Sequence, residues 1–186
     1  FAAKSNAYVE IWLDGERVDP QSEQEDPIYG TNYLPRKFKI AMTRAGDNSI
    51  DLFTNDLALA ATFENGEITG YHYYVGGGLG KNHRNAKTYP RLASYLGWSS
   101  VERMIPVCEA IIAVQKEHGD RKDRKHARLK YLLEDRGLDW FRAEVEKHLD
   151  YTLDLIDEPT WDFVDYLGWH ERRDGSCHRT RVGAPQ

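Results

Sequence analysis

Asn65-Gly66 is the strongest local constraint on how this chain folds. A two-residue type I′ turn needs positive φ at both central positions, which Asn and Gly tolerate and most residues do not. Apolar runs flank it, Leu57 to Phe63 before and Ile68 to Val75 after. The pattern predicts an antiparallel hairpin. Gly76-Gly77-Gly78-Leu79-Gly80 then ends it, because no regular element tolerates so many glycines. Other strand signals lie upstream. Tyr8 to Leu13 is a short apolar run closed by the turn pair Asp14-Gly15. Pro20 to Tyr29 is polar, acidic and rich in turn residues, a loop. Phe38 to Thr43 alternates apolar and polar, so Phe38, Ile40 and Met42 are expected on the core face. Asp47-Asn48 reads as a turn, and Ile50 to Phe53 as a further strand.

The second half changes period. Val101, Met104, Ile105, Cys108, Ile111 and Ile112 share one helical face, with Ser99 and Glu102 at capping-box spacing. Gly119 is a natural stop, and Pro106 predicts a kink or a late helix start. Asp120 is placed to cap a second helix running to about Arg136, closed by Gly137. Phe141, Val145, His148 and Leu149 mark a third, capped by Asp139. The tail from Asp150 is expected to return as one or two strands around Asp174-Gly175. Strands followed by helices predict an α+β fold, a mixed and mostly antiparallel sheet with about three helices packed on it. A single domain over 1–186 is expected, β-rich over 7–80, helical over 99–149, with a tail over 150–186.

Composition excludes several classes. A chain of 186 residues can bury a real core. Its net charge of −5 argues against non-specific nucleic-acid binding. Two cysteines, Cys108 and Cys177, cannot alone hold an iron–sulfur cluster or a structural zinc. No His-x3-His, Cys-x2-Cys or Gly-x-Ser-x-Gly spacing appears, so no metal site is expected. No apolar run approaches a membrane span and no signal peptide opens the chain, which points to a cytoplasmic setting. The first residue is Phe1, so a processed chain or an excised piece is expected.

The stretch Leu34-Pro35-Arg36-Lys37-Phe38-Lys39-Ile40 carries the clearest chemistry. On a strand Lys37 and Lys39 share a face, about 7 Å apart. Two such ammonium groups repel unless an anion lies between them. They read as an anion clamp or as a solvated strand face. Arg36 adds a planar fork suited to carboxylate. The glycine run is no P-loop and no dinucleotide fingerprint. It reads as a bend or as an anion cradle, with Lys81, His83, Arg84, Lys87 and Arg91 close behind. Arg121 to Lys130 is a second basic block, in which Arg121, Lys125 and Arg128 would form one helical stripe. That is either a docking patch for an acidic partner or a solvated face.

Tyr29-Gly30-Thr31-Asn32-Tyr33-Leu34-Pro35-Arg36-Lys37-Phe38-Lys39 resembles the sirohaem-site segment of assimilatory sulfite reductases. Tyr8 to Gly15, Asn55-Asp56, Val75 to Gly80, Lys116 to Gly119, Asp123-Arg124-Lys125, Lys130-Tyr131-Leu132, Phe141 to Glu146 and Tyr166 to His170 resemble further segments of that family, in order. The resemblance implies part of an oxidoreductase that reduces sulfite to sulfide with six electrons, using sirohaem and a [4Fe–4S] cluster. It matches Lys37 and Lys39 to the paired lysines that face the anion, and Arg36 to an arginine near the sirohaem carboxylates. It puts Gly76, Gly77 and Gly78 against the macrocycle, with Asn82, His83 and Arg84 nearby. Related nitrite reductases carry Asn where Lys39 stands. Near neutral pH sulfite carries on average more negative charge than nitrite, a monoanion, so a second cation suits sulfite. A nitrite reductase is the alternative, and a non-catalytic module for an acidic partner a further one. The helical block resembles the ferredoxin-dependent type more than the NADPH-linked haemoprotein, which makes ferredoxin the expected electron donor. The family's Cys-x5-Cys and Cys-x3-Cys pairs and its upstream arginine-rich segment have no counterpart here. A middle domain is therefore expected, joined to the other domains of the same enzyme. Alone it should neither turn over sulfite nor carry the cofactors.

Overall fold

The computed structural model describes residues 12–18, 28–30, 32–161, 168–171 and 175–180. Strands β1 (Trp12–Leu13) and β2 (Glu16–Arg17) form a small hairpin about Asp14-Gly15, at φ 51° and 85°. The main sheet has the order β3-β4-β5-β6, from Ile40–Arg44, Leu57–Glu64, Glu67–Val75 and Ser94–Ser100. The β4–β5 hairpin turns at Asn65-Gly66 with φ 51° and 87°, the left-handed geometry that its residues permit.

Strand β3 runs parallel to β4, so residues 45–56 must cross over between them. Ile50 to Phe53 is therefore not a strand. Leu52–Thr54 forms a 3₁₀ turn instead, with the Leu52 N–H donated to Asn48 Oδ1 at 2.8 Å. The expectation for Ile40 and Met42 also needs correcting. Both share the register face of Leu57 and Leu59, which is the core face, yet they are 40% and 50% exposed. Strand β3 is the sheet edge, covered by a neighbouring strand on one side only, whereas Phe38, two residues before it, packs on the core. Strand β6 was not legible in its sequence, because its serines and Gly97 carry no strand preference.

Helix α1 (Met104–His118) follows a 3₁₀ turn at Val101–Arg103. Pro106 thus falls in the first turn, where a missing N–H costs nothing, and the late start is what the structure shows. Ser99 does not cap it. Ser99 lies in β6 and shares a 2.8 Å hydrogen bond with the Tyr73 hydroxyl. Helix α2 (Leu129–Arg136) begins well after Asp120. The carboxylates of Asp120 and Asp123 accept backbone N–H groups of Lys122, Asp123 and Lys125, so residues 120–128 form turns. The expected stripe of Arg121, Lys125 and Arg128 on a helix is therefore absent. Gly137, at φ 85°, closes α2 and opens α3 (Leu138–Lys147). Asp139 sits in the first turn of α3 without capping it, and His148 and Leu149 lie past its end. A last hairpin pairs β7 (Gly168–Glu171) with β8 (Cys177–Thr180).

The helices cover one sheet face, around Leu57, Leu59, Tyr73, Leu96, Ile111 and Phe141. On the other face Leu52, Ala58, Ala60 and Tyr74 are closed by Phe53, Tyr95 and Trp161. The fold is α+β, as expected. No helix among the described residues is long and apolar enough to cross a membrane.

Cys108 lies inside the helical layer, 1% exposed, and burial pushes its thiol up to about 12. A thiol held protonated and out of reach does not alkylate. The expected outcome is no iodoacetamide adduct on the Cys108 peptide of the folded protein at pH 8, and full labelling after unfolding, read by peptide mass spectrometry. Native labelling at the rate of a free thiol contradicts this packing.

Candidate functional site

Three stretches distant in sequence meet at one cleft of about 290 Å³. The approach to β3 brings Arg36 and Lys37, and the loop after the glycine run brings Lys81 and Asn82. The turns before α2 bring Arg124, Lys125 and Arg128. Gly80, Thr88, Lys130 and Tyr131 complete the lining, and none of these residues is acidic. Cations gathered on a concave wall raise the potential inside it and favour an anionic occupant.

Buried contacts hold these cations in place. Arg128 donates Nη2 to Asp56 Oδ2 at 2.7 Å and Nε to Oδ1 at 3.2 Å. That bidentate pair is the strong geometry for Arg and carboxylate, and Asp56 is 0% exposed. Lys130, 1% exposed, donates Nζ to the carbonyls of Gly78 at 3.1 Å, Gly80 at 2.9 Å and Tyr89. Burial lowers its pKa, the Arg128 charge lowers it further, and Asp56 opposes both. Arg121, outside the lining, ties the start of the same turns to the rest of the chain, donating Nη2 to the carbonyls of Tyr33 at 2.6 Å and Lys116 at 2.9 Å.

The residues singled out in the sequence fall in different places. Arg36, Lys37 and Asn82 line the cleft. Lys39 stands two residues beyond Lys37, exposed, with its carbonyl accepting the Leu57 N–H at 3.0 Å. His83 and Arg84 are exposed on the turn beside Asn82 and do not line it. Gly76, Gly77 and Gly78 are buried against the chain itself. A Cβ on Gly77 would stand 2.2 Å from the Phe53 carbonyl oxygen, and one on Gly78 would stand 2.7 Å from Arg128 Nη1. These glycines permit close approach of the Asn55-Asp56 turn and of Arg128 to the loop. Arg91 folds back onto the Gly76 carbonyl at 3.1 Å and pairs with Glu134 at 3.3 Å. Pattern reasoning missed Asp56, and it placed Lys130 in the basic block without showing that it is buried. A buried charge carries no periodic signal, and Asn55-Asp56 stood out through the resemblance alone.

Residues 2–153 match the family model described as the nitrite and sulphite reductase 4Fe-4S domain. The chain belongs to that family. It is 42% identical to the sulfite reductase [ferredoxin] of Synechococcus elongatus, over 92% of this chain and 31% of the relative. It is 43% identical to the sulfite reductase [NADPH] hemoprotein beta-component of Myxococcus xanthus, over 95% of this chain and 31% of the relative. A solved structure of the Mycobacterium tuberculosis NirA protein superimposes with a TM-score of 0.56 at 30% identity, covering 78% of this chain and 26% of that one. The chain spans about a third of the length of the curated relatives it matches. Overall identity does not separate the ferredoxin type from the NADPH type.

The cofactors that the family implies fit this chain unequally. A cluster needs several thiolates, and Cys108 is a buried, protonated thiol among apolar side chains. Among the described residues no group of three or more His, Cys, Asp or Glu side chains could hold a metal ion. No set of thiolates suited to a cluster is present among the described residues. The cleft suits the carboxylates of a sirohaem rim, because its cations come without an acidic lining residue.

Asp120 holds the turn that carries Arg124 and Lys125, and the Asp123 and Lys122 backbone N–H groups lower its carboxyl pKa below 3.8. A depressed carboxyl contributes stability that is present above its unfolded pKa and is lost as pH falls through the folded one. The protection of the Lys122 and Asp123 amides, relative to the free peptide at the same pH, should therefore persist above the ordinary carboxylate range and be lost as pH falls through the lowered Asp120 pKa. Asp120→Ala should lack that protection at every pH. Protection with no pH step contradicts the assignment.

Proposed function

We propose that this chain forms the anion-holding wall of a sulfite reductase, and that the whole cytoplasmic enzyme reduces sulfite to sulfide with six electrons. The cationic cleft beside Lys37 and Lys39 carries this reading. Sulfite near neutral pH is a mixture of monoanion and dianion, so on average it carries more negative charge than nitrite. Lys37 and Lys39, two residues apart at the entry to β3, would each donate N–H bonds to its oxygens. Hydrogen bonds between charged partners are about twice as strong as neutral ones. Every S–O bond that breaks must release its oxygen as water, and an ammonium beside that oxygen is a suitable proton donor. Water exclusion and fixed positive charge stabilise the oxyanions as charge redistributes.

Arg36, Lys81, Arg124 and Lys125 would hold the carboxylates of sirohaem, with Asn82, His83 and Arg84 toward its rim. Gly76, Gly77 and Gly78 would serve from beneath, by letting the loop and Arg128 pack close enough to shape that wall. Sirohaem, when bound, supplies the iron that takes the anion and delivers electrons to it. The cluster and its thiolates would come from the other domains of the enzyme. Ferredoxin is the proposed donor, supported by the resemblance of the helical block. Lys122, exposed on the same turn as Arg124 and Lys125 but outside the cleft lining, offers such an acidic protein a salt-sensitive contact.

The family's name covers nitrite as well, and charge separates the two readings. Lys39→Asn in the full-length enzyme should lower kcat/KM for sulfite roughly tenfold to a hundredfold, the worth of one hydrogen bond between charged groups. Nitrite, with a single charge, should lose several times less. Steady-state kinetics with each substrate checks this, and equal losses contradict the proposed role of the second lysine.

A further inference from the structure

Asp56 does not line the cleft, yet its carboxylate ties Arg128, which does, to the Lys39 backbone at the entry to β3. Oδ2 accepts the Lys39 backbone N–H at 2.9 Å and Arg128 Nη2 at 2.7 Å, while Oδ1 accepts Arg128 Nε at 3.2 Å. Lys39 and Arg128 lie 17 and 72 residues from Asp56 in sequence. The backbone around the carboxylate is locked as well. The Asp56 carbonyl accepts the Gly76 N–H at 2.8 Å, and the Asn55 carbonyl accepts that of Gly77 at 2.9 Å. The Leu57 N–H, one residue on, is donated to the Lys39 carbonyl at 3.0 Å. Both main-chain polar groups of Lys39 are thus tied to this short stretch, the N–H to the Asp56 carboxylate and the carbonyl to the Leu57 N–H. With its N–H and C=O both fixed, Lys39 has little freedom in how its side chain leaves the backbone. Arg128, meanwhile, has its charge matched by a buried carboxylate, so it braces the wall.

We propose that Asp56 is a positioning residue for anion binding. It fixes the Lys39 main chain, and through it the Lys37–Lys39 pair, against Arg128 and the glycine run. The proposal rests on the reading that Lys37 and Lys39 hold the anion. Asp56 itself touches neither anion nor cofactor and acts through Lys39.

The test is a double-mutant cycle on the full-length protein with sulfite as the probe, affinity being read by calorimetric titration. The members are wild type, Asp56→Asn, Lys39→Gln and the double variant. Asp56→Asn should weaken sulfite binding by roughly tenfold, within the range for coupled neighbours, and should add little on the Lys39→Gln background. Hydrogen exchange at the Lys39 amide should be slow in wild type and faster in Asp56→Asn. A control variant, Val114→Ala, loosens the buried core and should leave sulfite affinity unchanged. If Asp56→Asn does not fold, Asp56→Glu keeps the charge on Arg128 while displacing the Lys39 amide, and should show the same loss. Wild-type affinity in a folded Asp56 variant overturns the proposal, as do losses that multiply in the double variant. An unchanged affinity in Lys39→Gln alone instead overturns the anion reading on which the proposal rests.

Discussion

The buried pair of Asp56 and Arg128 is the contact on which this architecture turns. Removing two charges from water costs several kcal/mol per ion, and mutual attraction offsets it only when further hydrogen bonds satisfy the groups. Here they do. The carboxylate also takes the Lys39 N–H, and Arg128 Nη2 reaches the Gly77 carbonyl at 3.3 Å. The result joins the crossover before β4, the entry to β3, the glycine run and the turns before α2. A hydrophobic pair of similar volume could fill that space, but it could not specify which backbone groups meet there.

Around that anchor, the cleft gathers cations that gain nothing from one another. Lys130 shows the principle in the extreme. Its ammonium is buried with three carbonyls and, among the described residues, no carboxylate at hydrogen-bond distance, and burial lowers its pKa. A wall built this way keeps a positive potential that favours an anionic occupant. The exposed Ile40 and Met42 on the edge strand agree with a chain that spans about a third of its relatives.

Much of this was legible in the sequence, for physical reasons. Asn65-Gly66 and Gly137 act locally through backbone angles of positive φ, Pro106 through its missing N–H, and Gly119 through a close approach that a Cβ would block at 2.5 Å from the Gln115 carbonyl oxygen. The periodic runs of β4, β5 and α1 follow from burial on one or two faces. What failed were features decided by tertiary contact. Arg121 to Lys130 has helical composition, but Asp120 and Asp123 bind their own backbone, and Arg128 is committed to Asp56. Ile50 to Phe53 is apolar because the crossover packs Leu52 on the sheet. The sequence showed Arg36, Lys37, Lys81 and the basic block as separate signals. Their convergence was not readable, because nothing in a pattern of charges says which loops meet.

The central claim is that Lys37 and Lys39, held by Asp56, present paired cations to a bound anion. A crystal structure of the full-length protein with sulfite bound tests it most directly. The account predicts both Nζ atoms within hydrogen-bond distance of sulfite oxygens and the Lys39 N–H still on the Asp56 carboxylate. Sulfite held by other residues, with Lys37 and Lys39 turned to solvent, would contradict it.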